Sequence, residues 1–256
     1  MHLLAVQGPE KRRSYYVRLQ ENAVYSTIAG PVRAERIAEA GYGGYIKLPA
    51  GVVYVLKPTL SELMEHFYVR ETQVIYPKDS GLIALLAGLK PGMRVVEAGV
   101  GSGFLTTVIA SHVCPTGLVL GFEVRRRNLE AARRNLELAG LDGCVELVHG
   151  DVRRASLEPA SLDAGFLDMP DPWEALDTLW PALKPGAPLV VFLPTFNQVE
   201  KLAARVDGER WVVQAALETM MRYLEPVPGA VRPSTRTIGF TGFIVVLRRV
   251  GAGGSG

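Results

Sequence analysis

The residues best suited to chemistry are one heptapeptide and three later acids. Glu97-Ala98-Gly99-Val100-Gly101-Ser102-Gly103 sets three alternating glycines behind an acid. Glycine reaches backbone conformations that a Cβ forbids, so such a run can turn sharply and lie close against a ligand. It departs from the dinucleotide pattern G-x-G-x-x-G. Counted from Gly99, the last position is Phe104, whose side chain would obstruct a pyrophosphate on the helix that follows. An NAD site is therefore disfavoured. Glu123 follows Gly103 by twenty residues, where an acid accepts hydrogen bonds from two ribose hydroxyls. Asp151, in His149-Gly150-Asp151, follows the next apolar run, and Asp168 closes a further one. The competing reading makes these three acids helix caps, with Asp168 capping the segment from Trp173.

The elements that must position these residues follow from periodicity. Met93–Glu97, Leu118–Glu123, Val145–Val148, Ala164–Leu167 and Leu189–Leu193 read as buried strands. Phe104–Val113 and Arg126–Ala139 read as helices between them, the second with Leu129, Ala132, Leu136 and Ala139 on one face and Gly140 as its stop. The expected fold is α/β, a Rossmann-like doubly wound sheet, which gathers ligands outside the carboxyl ends of its strands. Glycine-punctuated β-branched and aromatic runs before residue 70 predict a small β domain over 1–70. A main domain over 71–250 and a flexible tail over 251–256 complete the expected division. Trp211–Leu217 and Phe240–Leu247 are further candidate strands.

The chain has 256 residues, 48% hydrophobic and 21% charged, enough to bury a sizeable core. Its net charge of +2 excludes a globally basic nucleic-acid binder, so any RNA must be held by local patches such as Lys11-Arg12-Arg13, Arg125-Arg126-Arg127 or Arg232 to Arg236. Cys114 and Cys144 lack C-x-x-C spacing and suggest neither a disulfide scaffold nor a zinc site, and the four histidines lack metal-ligand spacing. No protein-bound metal is expected. The first residues do not make a signal peptide, and no apolar run is long enough to cross a membrane, which predicts a cytoplasmic protein with no membrane partner.

An acid before G-x-G-x-G is similar to the first motif of class I S-adenosylmethionine-dependent methyltransferases. Four strings narrow the resemblance: Thr72-Gln73-Val74-Ile75-Tyr76-Pro77-Lys78-Asp79, Val96 to Gly103, Leu167-Asp168-Met169-Pro170-Asp171-Pro172-Trp173, and Pro194-Thr195-Phe196-Asn197-Gln198-Val199. Over nearly its whole length the chain resembles the TrmI-type tRNA (adenine-N1)-methyltransferases. That resemblance implies a small β domain before the methyltransferase domain, a homotetramer, and formation of 1-methyladenosine at position 58 of the T-loop, with archaeal members often also modifying position 57. S-adenosylmethionine is the implied cofactor and S-adenosylhomocysteine its product. Glu97, Gly99 and Gly101 would belong to the cofactor loop, Ser102, Gly103, Phe104 and Leu105 would line the methionine end, Glu123 would hold the ribose, and Asp151 would read the adenine. Asn128 would also touch cofactor, Gln73 would help cover the site, and Asp168 matches the catalytic aspartate. Relatives usually read G-H-T-G-F where this chain has Gly239-Phe240-Thr241-Gly242-Phe243, so the usual histidine is a phenylalanine here.

Chemistry supports the same role for Asp168. Attack by adenine N1 places positive charge on the purine, and a carboxylate on the N6 amino group would stabilise that charge and take a proton. The target base must leave its stack, and Tyr76 and Trp173 are candidate walls for it, although an aromatic beside an apolar run is more often core. Two alternatives remain at this level: a protein carboxyl or small-molecule methyltransferase, and a non-catalytic RNA-binding subunit. Retention of the glycines and acids argues against the second.

Overall fold

The computed structural model describes residues 1–8 and 11–251, and the side chain of Arg236 lies outside the described residues, as do residues 252–256 of the expected tail. The chain forms two compact units.

The first unit comprises Met1–Tyr68 with Glu225–Arg232. Its strands are β1 (His2–Gln7), β2 (Lys11–Tyr16), β3 (Val24–Thr27), β4 (Gly30–Arg33), β5 (Tyr45–Leu48) and β6 (Gly51–Leu56), with helices α1 (Ala34–Ala40) and α2 (Leu60–Phe67). An antiparallel sheet runs in the order β2-β1-β6-β5, and β3 pairs with β4. Val53 and Val55 point inward with Leu3, Ala5 and Ile37, while Tyr54 between them faces out, the alternation of a half-buried strand. Thr59 and Glu62 cap α2 reciprocally: the Thr59 amide donates to the Glu62 carboxylate at 2.8 Å, and the Glu62 amide donates to the Thr59 hydroxyl at 3.3 Å.

The second unit holds α3 (Pro77–Leu86), β7 (Arg94–Ala98), α4 (Phe104–Val113), β8 (Leu118–Glu123), α5 (Arg126–Ala139), β9 (Val145–His149), β10 (Ala164–Leu167), α6 (Leu176–Ala182), β11 (Pro188–Leu193), α7 (Phe196–Ala203), β12 (Trp211–Leu217) and β15 (Phe243–Arg249), with all but the end residues Glu225 and Arg232 of β13 (Met221–Glu225) and β14 (Arg232–Ile238). The sheet order is β12-β15-β11-β10-β7-β8-β9. Strands β7 to β11 are parallel, and β15 and β12 close one edge antiparallel. Strand order advances from β7 to β9 on one side and resumes with β10 on the other, so the switch point lies between β7 and β10. Both faces are covered, with Val96, Leu167, Leu179 and Leu189 in one cluster and Val95, Ile109, Phe166 and Val246 in the other. This is the doubly wound architecture that the alternating runs predict.

Three features differ from the sequence reading. Cys114 and Cys144 are joined in a disulfide, their Cα atoms 5.9 Å apart. Spacing along the chain conceals this, because the end of α4 and the start of β9 meet only after β8 and α5 have folded between them. The expected strand from Phe240 begins only at Phe243, because Thr241 is drawn into a side-chain network and a Cβ on Gly242 would fall 2.4 Å from the Phe192 ring. The hairpin of β13 and β14 is absent from the sequence expectation, since its residues read polar and proline-interrupted.

The Thr72–Asp79 string gains a structural reason. Pro77 opens α3, where its missing N–H costs nothing, and Asp79 is fully buried. Lys78 Nζ donates to both Asp79 carboxylate oxygens at 2.8 and 3.0 Å, and the hydroxyls of Thr219 and Thr241 donate to the same carboxylate at 2.6 and 2.7 Å. The start of α3 is thereby tied to the β12–β13 turn and to the loop before β15.

Candidate active site

A cleft of about 470 Å³ opens at the carboxyl ends of the parallel strands, within the size range of small-molecule sites. Its floor is the glycine loop between β7 and α4. Gly99 has φ +88°, and a Cβ there would sit 1.8 Å from the Asp168 carbonyl oxygen, so only glycine lets the ends of β7 and β10 approach this closely. Gly101 and Gly103 also adopt positive φ, at +54° and +79°.

Glu123 ends β8 and braces that loop. Its two carboxylate oxygens accept from the Gly101 amide at 2.9 Å and the Arg125 amide at 2.9 Å. A carboxylate offers about four acceptor positions, so capacity remains for ligand hydroxyls. Glu97 is completely buried at the end of β7, and neither of its carboxylate oxygens has a hydrogen-bond partner. Burial pushes its carboxyl up to about 8; the Thr106 hydroxyl opposes this, and the neighbouring Asp168 and then Glu123 add smaller upward contributions. Asp168 follows β10 and faces the cleft across Gly99. Burial, reinforced by Glu123, raises it to about 7. It is not the cap of the segment at Trp173, a place taken by Asp171.

The remaining sequence-predicted residues divide. Gln73, Ser102, Phe104, Leu105, Asn128 and Asp151 line the cleft with Glu97, Gly99, Gly101, Glu123 and Asp168. Gly103 lies just outside as the N-terminal boundary of α4. Asp151 is already engaged: the Arg153 guanidinium donates to both its oxygens at 2.7 to 3.0 Å and the Arg153 amide donates at 3.0 Å, which together hold its carboxyl low. It also caps the short turn Val152–Arg154, so the capping reading applies to this acid. Tyr76 and Trp173 are not among the lining residues, and Trp173 packs against the core with Lys201 Nζ 5.5 Å from its ring centre.

Several contributors escaped sequence reasoning. Asn135, buried on α5, donates to the carbonyls of Ser102 and Val69 at 2.8 and 2.9 Å and accepts from the Val69 amide at 2.9 Å. Ser102 Oγ in turn accepts from the Glu71 amide at 2.8 Å. The segment from Val69 to Thr72 is thus strapped to the glycine loop. Asn128 and Asn135 recur at seven residues on the apolar face of α5, and a polar residue repeated on a buried stripe was the signal available. Arg153, two residues past Asp151, also lines the cleft.

Glu97, Glu123, Asp151, Asp168 and Asp171 around one opening disfavour a pyrophosphate and suit a cationic, phosphate-free ligand. Glu97, buried and unpartnered, is an orphan that a ligand ammonium would satisfy. Among the described residues no cluster of His, Cys, Asp and Glu could hold a metal ion, and no helix is long and apolar enough to cross a membrane.

Comparison with known proteins agrees with this geometry. Residues 51–227 match the family described as tRNA methyltransferase complex GCD14 subunit. A curated relative from Thermus thermophilus, named tRNA (adenine(58)-N(1))-methyltransferase TrmI, is 37% identical, over 93% of this chain and 94% of its own. Among solved structures, a Thermotoga maritima protein titled a SAM-dependent O-methyltransferase superposes with TM-score 0.86 at 30% identity, covering 99% of this chain and 94% of that one. The tRNA (m1A58) methyltransferase TrmI of Aquifex aeolicus gives 0.85 at 28%, covering 98% of each. The family match over residues 51–227 and the 37% identity over 93% of the chain place it in the TrmI-type tRNA (adenine-N1)-methyltransferase family.

Proposed function

We propose that this chain transfers a methyl group from S-adenosylmethionine to N1 of adenine at position 58 of the tRNA T-loop, and that its catalytic group is Asp168. The observation that carries the reading is that Asp168, at the end of β10, lines the same cleft as the glycine loop and Glu123.

S-adenosylmethionine supplies, when bound, a methyl group already activated on a sulfonium. The protein then has to align and to stabilise charge. Glu97 meets the ligand ammonium, and Ser102, Phe104 and Leu105 line the methionine end. Glu123 accepts from the ribose hydroxyls while keeping its two loop amides. Asp151 reaches the adenine amino group only as Arg153 shares or releases it. Gln73 covers the site from the strapped segment, and Asn128 contributes from the first turn of α5. Asp168 accepts from the N6 amino group of the target adenine, stabilises the charge that methylation creates, and receives the proton.

We also propose the division into a β domain over 1–70 and a methyltransferase domain over 71–250, a homotetramer, and a cytoplasmic location shared with the tRNA. The deciding experiment is incubation of unmodified tRNA with labelled S-adenosylmethionine, digestion and nucleoside analysis. Label in 1-methyladenosine alone supports the reading, whereas label in an O-methylated nucleoside, or none, overturns it.

A further inference from the structure

Helix α5 leaves the cleft with a strongly one-sided charge distribution. It starts directly after Glu123-Val124-Arg125, and Arg125 itself lines the cleft. Asn128, Leu129, Ala132, Asn135 and Leu136 bury its inner face. Its outer face carries Arg125, Arg126, Arg127, Arg133 and Arg134 against only Glu130 and Glu137, five positive less two negative charges, or +3, while the whole chain carries +2. The two arginine groups are eight residues apart, about 12 Å along the axis.

These charges are largely free for a partner. Arg126 lies 3.5 Å from Glu130, with both groups well exposed, a pairing that contributes little. Arg127 is held by Glu71 at 2.6 Å. Arg125, Arg133 and Arg134 make no ion pair among the described residues. The other two basic strings are more engaged: Arg12 donates to the Pro226 carbonyl at 3.0 Å, Arg13 sits over the Tyr15 ring, and Arg232 pairs with Glu225 at 2.6 Å.

We propose that the outer face of α5 is a phosphate-binding track that holds the tRNA backbone while the target base enters the cleft, resting on the function proposed above. A guanidinium presents a fork of donors that matches two phosphate oxygens, and a row of them on a rigid helix beside the cleft gives the RNA a fixed register. The track supplies what the small net charge withholds, a local positive field where the substrate must dock.

The test is the salt dependence of tRNA binding by the full-length protein. Arg133→Gln/Arg134→Gln keeps helix propensity and lies away from the cleft lining. Loss of two phosphate contacts reduces the slope of log K against log salt by about 1.8 and weakens tRNA binding roughly 10- to 30-fold near 0.15 M salt. The dissociation constant for S-adenosylmethionine and the turnover at saturating tRNA should stay within about twofold. Lys90→Gln, just before the amino end of β7 and so at the end of the sheet away from the cleft, should leave the slope unchanged. An unaltered slope in the double variant overturns the track. So does a change in sedimentation, which would make this face a contact between copies of the chain. A wild-type protein that binds no tRNA would instead defeat the underlying function, a result distinguishable from both.

Discussion

At the scale of single residues, the site is governed by how burial treats its acids. Asp168, raised to about 7, must be ionised to accept from the base, so turnover should climb as pH rises through about 7 and level off above it. Asp168→Asn should cut methyl transfer by roughly 100-fold or more and abolish that climb while S-adenosylmethionine binding holds within about twofold. Turnover and calorimetric titration across pH 5.5 to 9 measure both. Glu97 behaves differently. Its carboxyl is neutral below about 8 in the free protein, and a ligand ammonium favours the ionised form, so cofactor affinity should strengthen as pH rises toward 8, and Glu97→Gln should flatten the profile. The sign for folding is opposite. A carboxyl raised above its unfolded value binds its proton more tightly in the native state, so this contribution is fully present below the ordinary carboxylate range and is lost as pH climbs through about 8. The melting temperature of the ligand-free protein should fall over that interval, and less steeply in Glu97→Gln.

At the scale of elements, the buried Lys78–Asp79 pair is the test of what anchors α3. Lys78→Met leaves the Asp79 carboxylate buried with only two hydroxyl partners. Unfolding in denaturant should show a loss of about 3 kcal/mol or more, and the melting point should drop by roughly 10 °C. The disulfide from the end of α4 to the start of β9 closes thirty residues, so the chain-entropy account assigns it about 3.5 kcal/mol. Cys144→Ser should lose stability on that scale, and thiol titration of unfolded, unreduced wild-type protein should find no free thiol. These elements also show what was legible beforehand. Parallel strands, the glycine loop and the acids at strand ends carry periodic or local signals, and the structure places them as expected. Tyr76 and Trp173 adjoin the site strings in sequence, yet neither lines the cleft, a matter that spacing along the chain does not encode. The capture of Asp151 by Arg153, the disulfide and the Asn135 strap depend on contacts that form only when distant segments fold together.

At the scale of the whole molecule, a chain with net charge +2 must collect an RNA many times more charged than itself. The proposed assembly of four copies would concentrate local basic surface around one substrate. Met220, Tyr223 and Leu224 expose apolar side chains on or beside β13, with Leu224 62% accessible, more than an isolated surface residue needs. Sedimentation should report a tetramer for the wild type, and Leu224→Arg should shift it toward smaller species. The contact between Gly99 and the Asp168 carbonyl reaches beyond stability. Main chain lies against main chain here, so the spacing between the ends of β7 and β10 cannot be reset by repacking side chains. Selection for new methyl acceptors in this scaffold therefore has to act on the walls and rim of the cleft, and a library randomised at position 99 should return glycine alone.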